Sequence, residues 1–171
     1  EVPSGEAIYS MGLGANTEFA TDKFRYNFSS PVTSQSVYEI DLVTFSTRLL
    51  KQTEVPGGYD SSLYITERVF ATAPDGVRVP IAVVYRKDKR ATEGNPCVLN
   101  GYGAYGSSAS FGFNSNIVPL LDRGFLWATA QIRGGSDMGI AWHDDGKMMK
   151  KRNTFTDFAA AADELVYSGW T

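Results

Sequence analysis

Two apolar runs in this chain end abruptly in glycine, and that pairing constrains its fold more than any other feature. Pro96-Cys97-Val98-Leu99 leads into Asn100-Gly101-Tyr102-Gly103-Ala104-Tyr105-Gly106, and Gly124-Phe125-Leu126-Trp127-Ala128-Thr129-Ala130 leads into Gln131-Ile132-Arg133-Gly134-Gly135. The second run is almost continuously apolar, as a strand covered on both faces must be. A strand running into a glycine turn is how a parallel α/β sheet presents functional groups at the carboxyl ends of its strands. The expected fold class is therefore α/β.

Helical signals surround these runs. Residues 117–123 fit a short helix, with Pro119 tolerated in its first turn. Further on, Thr154 and Asp157 have the spacing of a capping box, and Phe155, Phe158, Ala162, Leu165 and Val166 recur at helical spacing. Gly169 falls where a helix ends. Upstream the pattern differs. Residues 23–28 and 36–42 alternate with period two, and 48–52 form a third short strand, as in the antiparallel meander of one propeller blade. Val55-Pro56-Gly57-Gly58-Tyr59-Asp60 is rich in turn formers and marks a boundary, so the predicted units are 1–57 and 58–171. In the second unit, Pro74-Asp75-Gly76 between the β-rich runs 63–73 and 77–85 predicts a hairpin.

Composition excludes several function classes. A net charge of −3 over 171 residues gives no electrostatic footprint for nucleic acid. The basic run at 147–152 lies beside Asp144 and Asp145 and reads as the solvated approach to a helix. No run nears the roughly 20 apolar residues of a membrane span. Cys97 is the only cysteine, so no internal disulfide can form; it reads as a small buried hydrophobe, with a cytoplasmic location the default. Asn27-Phe28-Ser29 fits a glycosylation sequon but lies inside a strand pattern, and reads as chance. The chain starts at Glu1 and carries no G-x-S-x-G nucleophile turn, so it is expected to be a segment cut at both ends.

The glycine turns hold the candidate site. Gly101-x-Gly103-x-x-Gly106, with Asp122 downstream, matches the dinucleotide fingerprint in letters. Residues 107–115 show no helical period, so no helix N-terminus would face a pyrophosphate. Tyrosines on such a turn suit another chemistry, donation of a hydrogen bond to a developing oxyanion. The simpler reading is that Tyr102 and Tyr105 pack over the sheet edge with their hydroxyls in water. Arg133 could bind a carboxylate, but an internal Arg133–Asp137 pair is simpler. His143 lacks a nearby nucleophile and reads as structural. A metal site would need more ligands than the chain offers, and no cofactor is expected.

Taken together, these motifs resemble the prolyl oligopeptidase family of serine peptidases. The residues that carry the resemblance are the 100–106 run, Leu121-Asp122-Arg123-Gly124-Phe125, Arg133-Gly134-Gly135 with Met138, Gly139, Trp142, Gly146 and Lys147, and Lys151 with Asn153-Thr154-Phe155 and Asp157. The 49–56 run and Asp75-Gly76-Val77, with Val79-Pro80, are similar to the oligopeptidase B branch. The resemblance covers residues from about 24 to 171.

It implies a β-propeller capping an α/β-hydrolase domain, with 1–57 the end of the propeller and 58–171 the first part of the hydrolase domain. It implies hydrolysis of short peptides through an acyl-enzyme, after Arg or Lys in this branch. Tyr102 matches the tyrosine that helps form the oxyanion hole, which favours the catalytic reading of that residue, and Tyr105 falls near a substrate-binding position. The serine, aspartate and histidine of the triad would lie beyond Thr171, as would the acidic residues that set basic specificity. The partners implied are short peptides and the remainder of the two domains. The rival readings are a non-catalytic structural or interaction fragment and, more weakly, a dinucleotide-binding domain.

Overall fold

The computed structural model describes residues 5–171, which form two four-stranded sheets joined by a turn-rich segment. The first sheet is an antiparallel meander of β1 (Ser10–Leu13), β2 (Lys23–Ser29), β3 (Ser36–Asp41) and β4 (Thr47–Gln52), in that spatial order. β2 and β3 follow from sequence alternation, and β4 is the third short strand expected, although all six of its residues are exposed. β1 is not expected from the sequence, and all four of its residues are exposed. Its pairing with β2, from Ser10 opposite Ser29 to Leu13 opposite Tyr26, makes it a strand. Tyr26, Phe28 and Ile40 form this sheet's buried cluster, and the rings of Tyr26 and Tyr38 stack at 5.4 Å. Leu42, expected on the same face, lies past the end of β3 and is exposed. There the Asp41 carboxylate accepts hydrogen bonds from the Val43 and Thr44 amides and turns the chain.

The second sheet has the order β5-β6-β8-β7. β5 (Tyr64–Thr72) and β6 (Arg78–Arg86) form the predicted hairpin. Its loop is closed by Ala73 N–H to Val77 O and Gly76 N–H to Ala73 O, both at 2.8 Å. Gly76 takes φ +84°, the left-handed position that a three-residue hairpin loop requires. β7 (Cys97–Asn100) and β8 (Leu126–Ala130) are parallel neighbours, connected through α1 (Val118–Asp122). β8 is antiparallel to β6. The sheet is therefore mixed, because the hairpin adds antiparallel strands to the parallel pair.

Burial on both faces explains the apolar run of β8. On one face Val79, Ile81, Val83, Ala128 and Ala130 meet Ala161 and Leu165 of α3 (Arg152–Tyr167). On the other, Val84 packs with Tyr64, Ile117 and Leu121, and with Val32 from the segment between β2 and β3. The two sheets are also tied by hydrogen bonds. Tyr59 Oη donates to Val32 O at 2.8 Å, and Ser29 Oγ accepts from the Phe113 amide at 2.9 Å.

α3 departs from its sequence reading in two ways. Thr154 and Asp157 are not a capping box; Lys151 holds the N-cap position and no side chain caps the helix. Both residues are instead buried and bonded to Arg133. The demand of a buried guanidinium outweighs that of helix amides open to water. The buried stripe therefore runs through Thr154, Asp157, Ala161 and Leu165, while Phe155 and Val166 are exposed. The helix end is as expected. Gly169 sits at φ +70°, with Gly169 N–H to Val166 O and Trp170 N–H to Leu165 O, the paired bonds of a Schellman motif. No helix among the described residues is long and apolar enough to cross a membrane.

Candidate active site

β7 and β8 end side by side, with Asn100 opposite Thr129, so the turns that follow them meet. The contact is close. Gly106 N–H donates to Gly134 O at 2.9 Å, and Gly134 N–H donates to Trp142 O at 3.0 Å. Gly134 has φ +102°, and a Cβ there would overlap the Gly103 carbonyl oxygen. Gly103 has φ +61°, and its Cβ would lie 2.6 Å from both Ile132 Cγ1 and Thr154 Cγ2. These glycines are needed for backbone-on-backbone packing as well as for their torsions.

Polar side chains complete the clamp. Ser136 Oγ donates to Gly106 O at 2.5 Å. Thr154 Oγ1 lies 2.6 Å from Arg133 O. Lys151 Nζ donates to Gly103 O at 2.5 Å and to Thr154 Oγ1 at 3.1 Å. His143, from α2 (Ile140–Asp144), places Nδ1 3.0 Å from Gly134 O. A carbonyl only accepts, so that ring carries its proton on Nδ1. His143 is thus a brace for the turn, in keeping with its structural reading.

Arg133 is not paired with Asp137 and does not face the turn surface. Its side chain runs back under the turn, where Nη2 meets Asp157 Oδ1 at 2.6 Å and Nε meets Oδ2 at 2.9 Å. Nη1 reaches Asp75 Oδ2 on the β5–β6 hairpin at 2.6 Å. Asp137 accepts from Ala109 N–H and from Gln131 Nε2. Its place on the near side of the turn puts it out of reach of an arginine drawn down to α3. The hydrogen bond from Arg133 holds the Asp75 carboxyl below its ordinary value, against the opposing effect of burial.

The two tyrosines stand on top of this base. Tyr102 is 64% exposed and Tyr105 90% exposed. Neither hydroxyl has a hydrogen-bond partner among the described residues. Tyr105 also sits at φ +55°, a left-handed conformation that is unfavourable for a residue with a side chain. A cavity of about 270 Å³ opens below the 110–114 loop, between Pro31, Asn100, Trp127 and Thr129.

The remaining candidates are accounted for structurally. Residues after Gly106 are irregular until α1, so no helix N-terminus adjoins the G-x-G-x-x-G turn. Cys97 is half-buried in β7 and burial pushes its thiol upward, in keeping with a packing role. Lys147 and Lys150 pair with Asp144 and Asp145 at the surface, as the basic run suggested. Lys151 is the exception that sequence reasoning missed. In the sequence it figures only as one residue of the family resemblance, without a role.

Comparison with known proteins places these features in context. Residues 111–171 match the prolyl oligopeptidase family. The chain is 49% identical over 170 residues to dipeptidyl aminopeptidase BI of Pseudoxanthomonas mexicana, which covers 99% of this chain and 23% of the relative. Among solved structures, oligopeptidase B from Leishmania major matches with a TM-score of 0.88 and 41% identity, over 99% of this chain and 24% of that one. Oligopeptidase B from Trypanosoma brucei with covalently bound antipain matches with a TM-score of 0.89 and 36% identity, over the same shares. The chain thus spans about a quarter of the length of the relatives it matches.

Proposed function

Because this chain belongs to the prolyl oligopeptidase family, we propose that it forms part of a serine oligopeptidase that hydrolyses short peptides. In this reading the β1–β4 sheet is the end of a β-propeller, and residues 58–171 open an α/β-hydrolase domain. The observation that carries the reading is the Tyr102 turn. It is held rigidly from below by glycine packing and by Lys151, and it presents a free hydroxyl upward.

The chemistry follows from that arrangement. A serine alkoxide attacking a peptide carbonyl makes a tetrahedral oxyanion, and a fixed O–H donor stabilises that charge more than it stabilises the neutral carbonyl. Tyr102 would supply this donor and Tyr105 would contact the substrate side chain. No G-x-S-x-G sequence occurs in these residues, so the serine, and the acid and histidine that activate it, would come from elsewhere in the protein. Cleavage after Arg or Lys is the specificity favoured by similarity to oligopeptidase B.

The 49% identity to a dipeptidyl aminopeptidase favours a second reading, release of dipeptides from a free N-terminus. Both are tested on the full-length protein with a serine-directed phosphonylating probe and a peptide containing one internal arginine. One covalent adduct with cleavage is expected. Absence of adduct and hydrolysis would overturn both readings. Cleavage after the arginine whether or not the N-terminus is acetylated supports the first, and dipeptides released only from the free amine support the second.

A further inference from the structure

The Tyr102 turn contains an unresolved physical demand. Gly103 follows the tyrosine directly and has no side chain to limit its torsions, so an isolated Tyr-Gly-Ala turn would sample many orientations. A tyrosine hydroxyl lies roughly 6 Å from its Cα, so a tilt of about 10° moves it by about 1 Å. A displacement of that size can cost on the order of 10²-fold in rate. Something must therefore fix the backbone on the far side of Gly103.

The part that does so is unusual among the neighbouring lysines. Lys147 and Lys150 turn outward to carboxylates. Lys151, half-buried, turns inward and gives its protons to two neutral oxygens, Gly103 O at 2.5 Å and Thr154 Oγ1 at 3.1 Å. No carboxylate pairs with its ammonium among the described residues. Removing a charge from bulk water toward neutral acceptors is costly, and only strong, charge-assisted hydrogen bonds offset that cost. The same ammonium also joins the two turns. Thr154 accepts from Lys151 and passes its own proton to Arg133 O at 2.6 Å, so Gly103 and Arg133 are anchored at one point.

We propose that Lys151 is a positioning residue for catalysis, fixing the aim of the Tyr102 hydroxyl through the Gly103 carbonyl. The inference rests on the reading of Tyr102 as an oxyanion donor. A lysine acting only on stability would lower the melting temperature and leave the rate of the folded enzyme unchanged. A lysine acting through Tyr102 lowers kcat only while the hydroxyl is there to be misdirected.

The test is a double-mutant cycle in the full-length protein, with kcat, KM and melting temperature measured on a peptide substrate whose hydrolysis is limited by acylation. Lys151→Met is expected to lower kcat by about 10-fold or more with KM changed by less than about 2-fold. In a Tyr102→Phe background the same substitution is expected to lower kcat by less than about 2-fold. Equal losses in both backgrounds, or no loss in either, would overturn the role of Lys151. A Tyr102→Phe enzyme with undiminished kcat would instead overturn the reading of Tyr102, so the two failures are distinguishable. If Lys151→Met does not fold, Lys151→Arg carries the same cycle, since it keeps the charge and misplaces the donor. A loss confined to the Tyr102 background supports the proposal, and an equal loss in both backgrounds defeats it.

Discussion

Arg133 and Asp157 share one carboxylate three ways. Oδ1 takes Nη2 at 2.6 Å, while Oδ2 takes both Nε at 2.9 Å and the Arg133 backbone amide at 3.0 Å. Asp157 is fully buried and the Arg133 side chain is 4% exposed, so the glycine turn after β8 is bolted to α3 from within. Removing one partner of such a pair leaves a buried charge, which costs about 3–5 kcal/mol. Asp157→Ala is expected to lose stability in that range in urea unfolding, whereas Asp75→Ala, at the half-exposed end of the same arginine, is expected to lose about 1 kcal/mol or less. Equal losses for the two variants would contradict this division.

Gly134→Ala should act on the site through its shape. The added methyl group would overlap the Gly103 carbonyl and would sit on a backbone at φ +102°. A loss of about 2 kcal/mol or more in stability is expected, from overpacking together with backbone strain. The same substitution at Gly57, at φ +89° with open space around it, carries only the strain. Comparing the two melting temperatures separates contact from torsion.

Tyr102→Phe keeps the ring and removes the donor. On the proposed reading, kcat of the full-length protein is expected to fall by roughly 10- to 1,000-fold, the scale of losing one oxyanion donor, with a smaller change in KM. Stability should hold, because the substitution keeps the ring and its hydroxyl has no hydrogen-bond partner among the described residues. Steady-state kinetics under chemistry-limited conditions checks this, and an unchanged kcat would remove Tyr102 from the mechanism.

Acid should loosen the β5–β6 hairpin through Asp75. The Asp75 carboxyl is lowered from an ordinary value of 3.8, first by the hydrogen bond from Arg133. A native value below the unfolded one means that the unfolded chain binds more protons, so stability is present above pH 3.8 and declines as pH falls toward the native value. Asp75→Asn should abolish that share of the decline. Melting temperatures measured between pH 7 and pH 3 for both proteins should therefore converge at the acid end, and parallel curves would refute the assignment.

The parts of this molecule that sequence foretold are those where one residue's demand is local. Period-two aromatics in β2, the Asp75-Gly76 turn and the terminal Gly169 each state their backbone requirement alone. What escaped prediction depends on distant partners. Thr154 and Asp157 have the letters of a capping box, but the arginine that claims them is more than twenty residues away. Asp137 was the sequence neighbour of Arg133, and three-dimensional packing preferred Asp157 and Asp75. β1 has no burial pattern and exists by pairing alone. In the site, the glycine turns were legible; Lys151 was visible as part of the family resemblance, but its inward role was not, because nothing in a run of basic residues tells which one points inward.

The pairing of Asn100 with Thr129 has a further consequence, one of tolerance. The two turns are not positioned independently; each inherits its height from the strand it ends. A slip of one residue between β7 and β8 would offset the turns by about 3.3 Å. If β8 were the strand that moved, Ala128 and Ala130 would point away from α3, and Trp127 and Thr129 would enter that crowded interface. The side chains that make such a slip prohibitive are buried at the centre of the sheet. Alignment at the rim is thus guaranteed by the fit of small alanines at the centre.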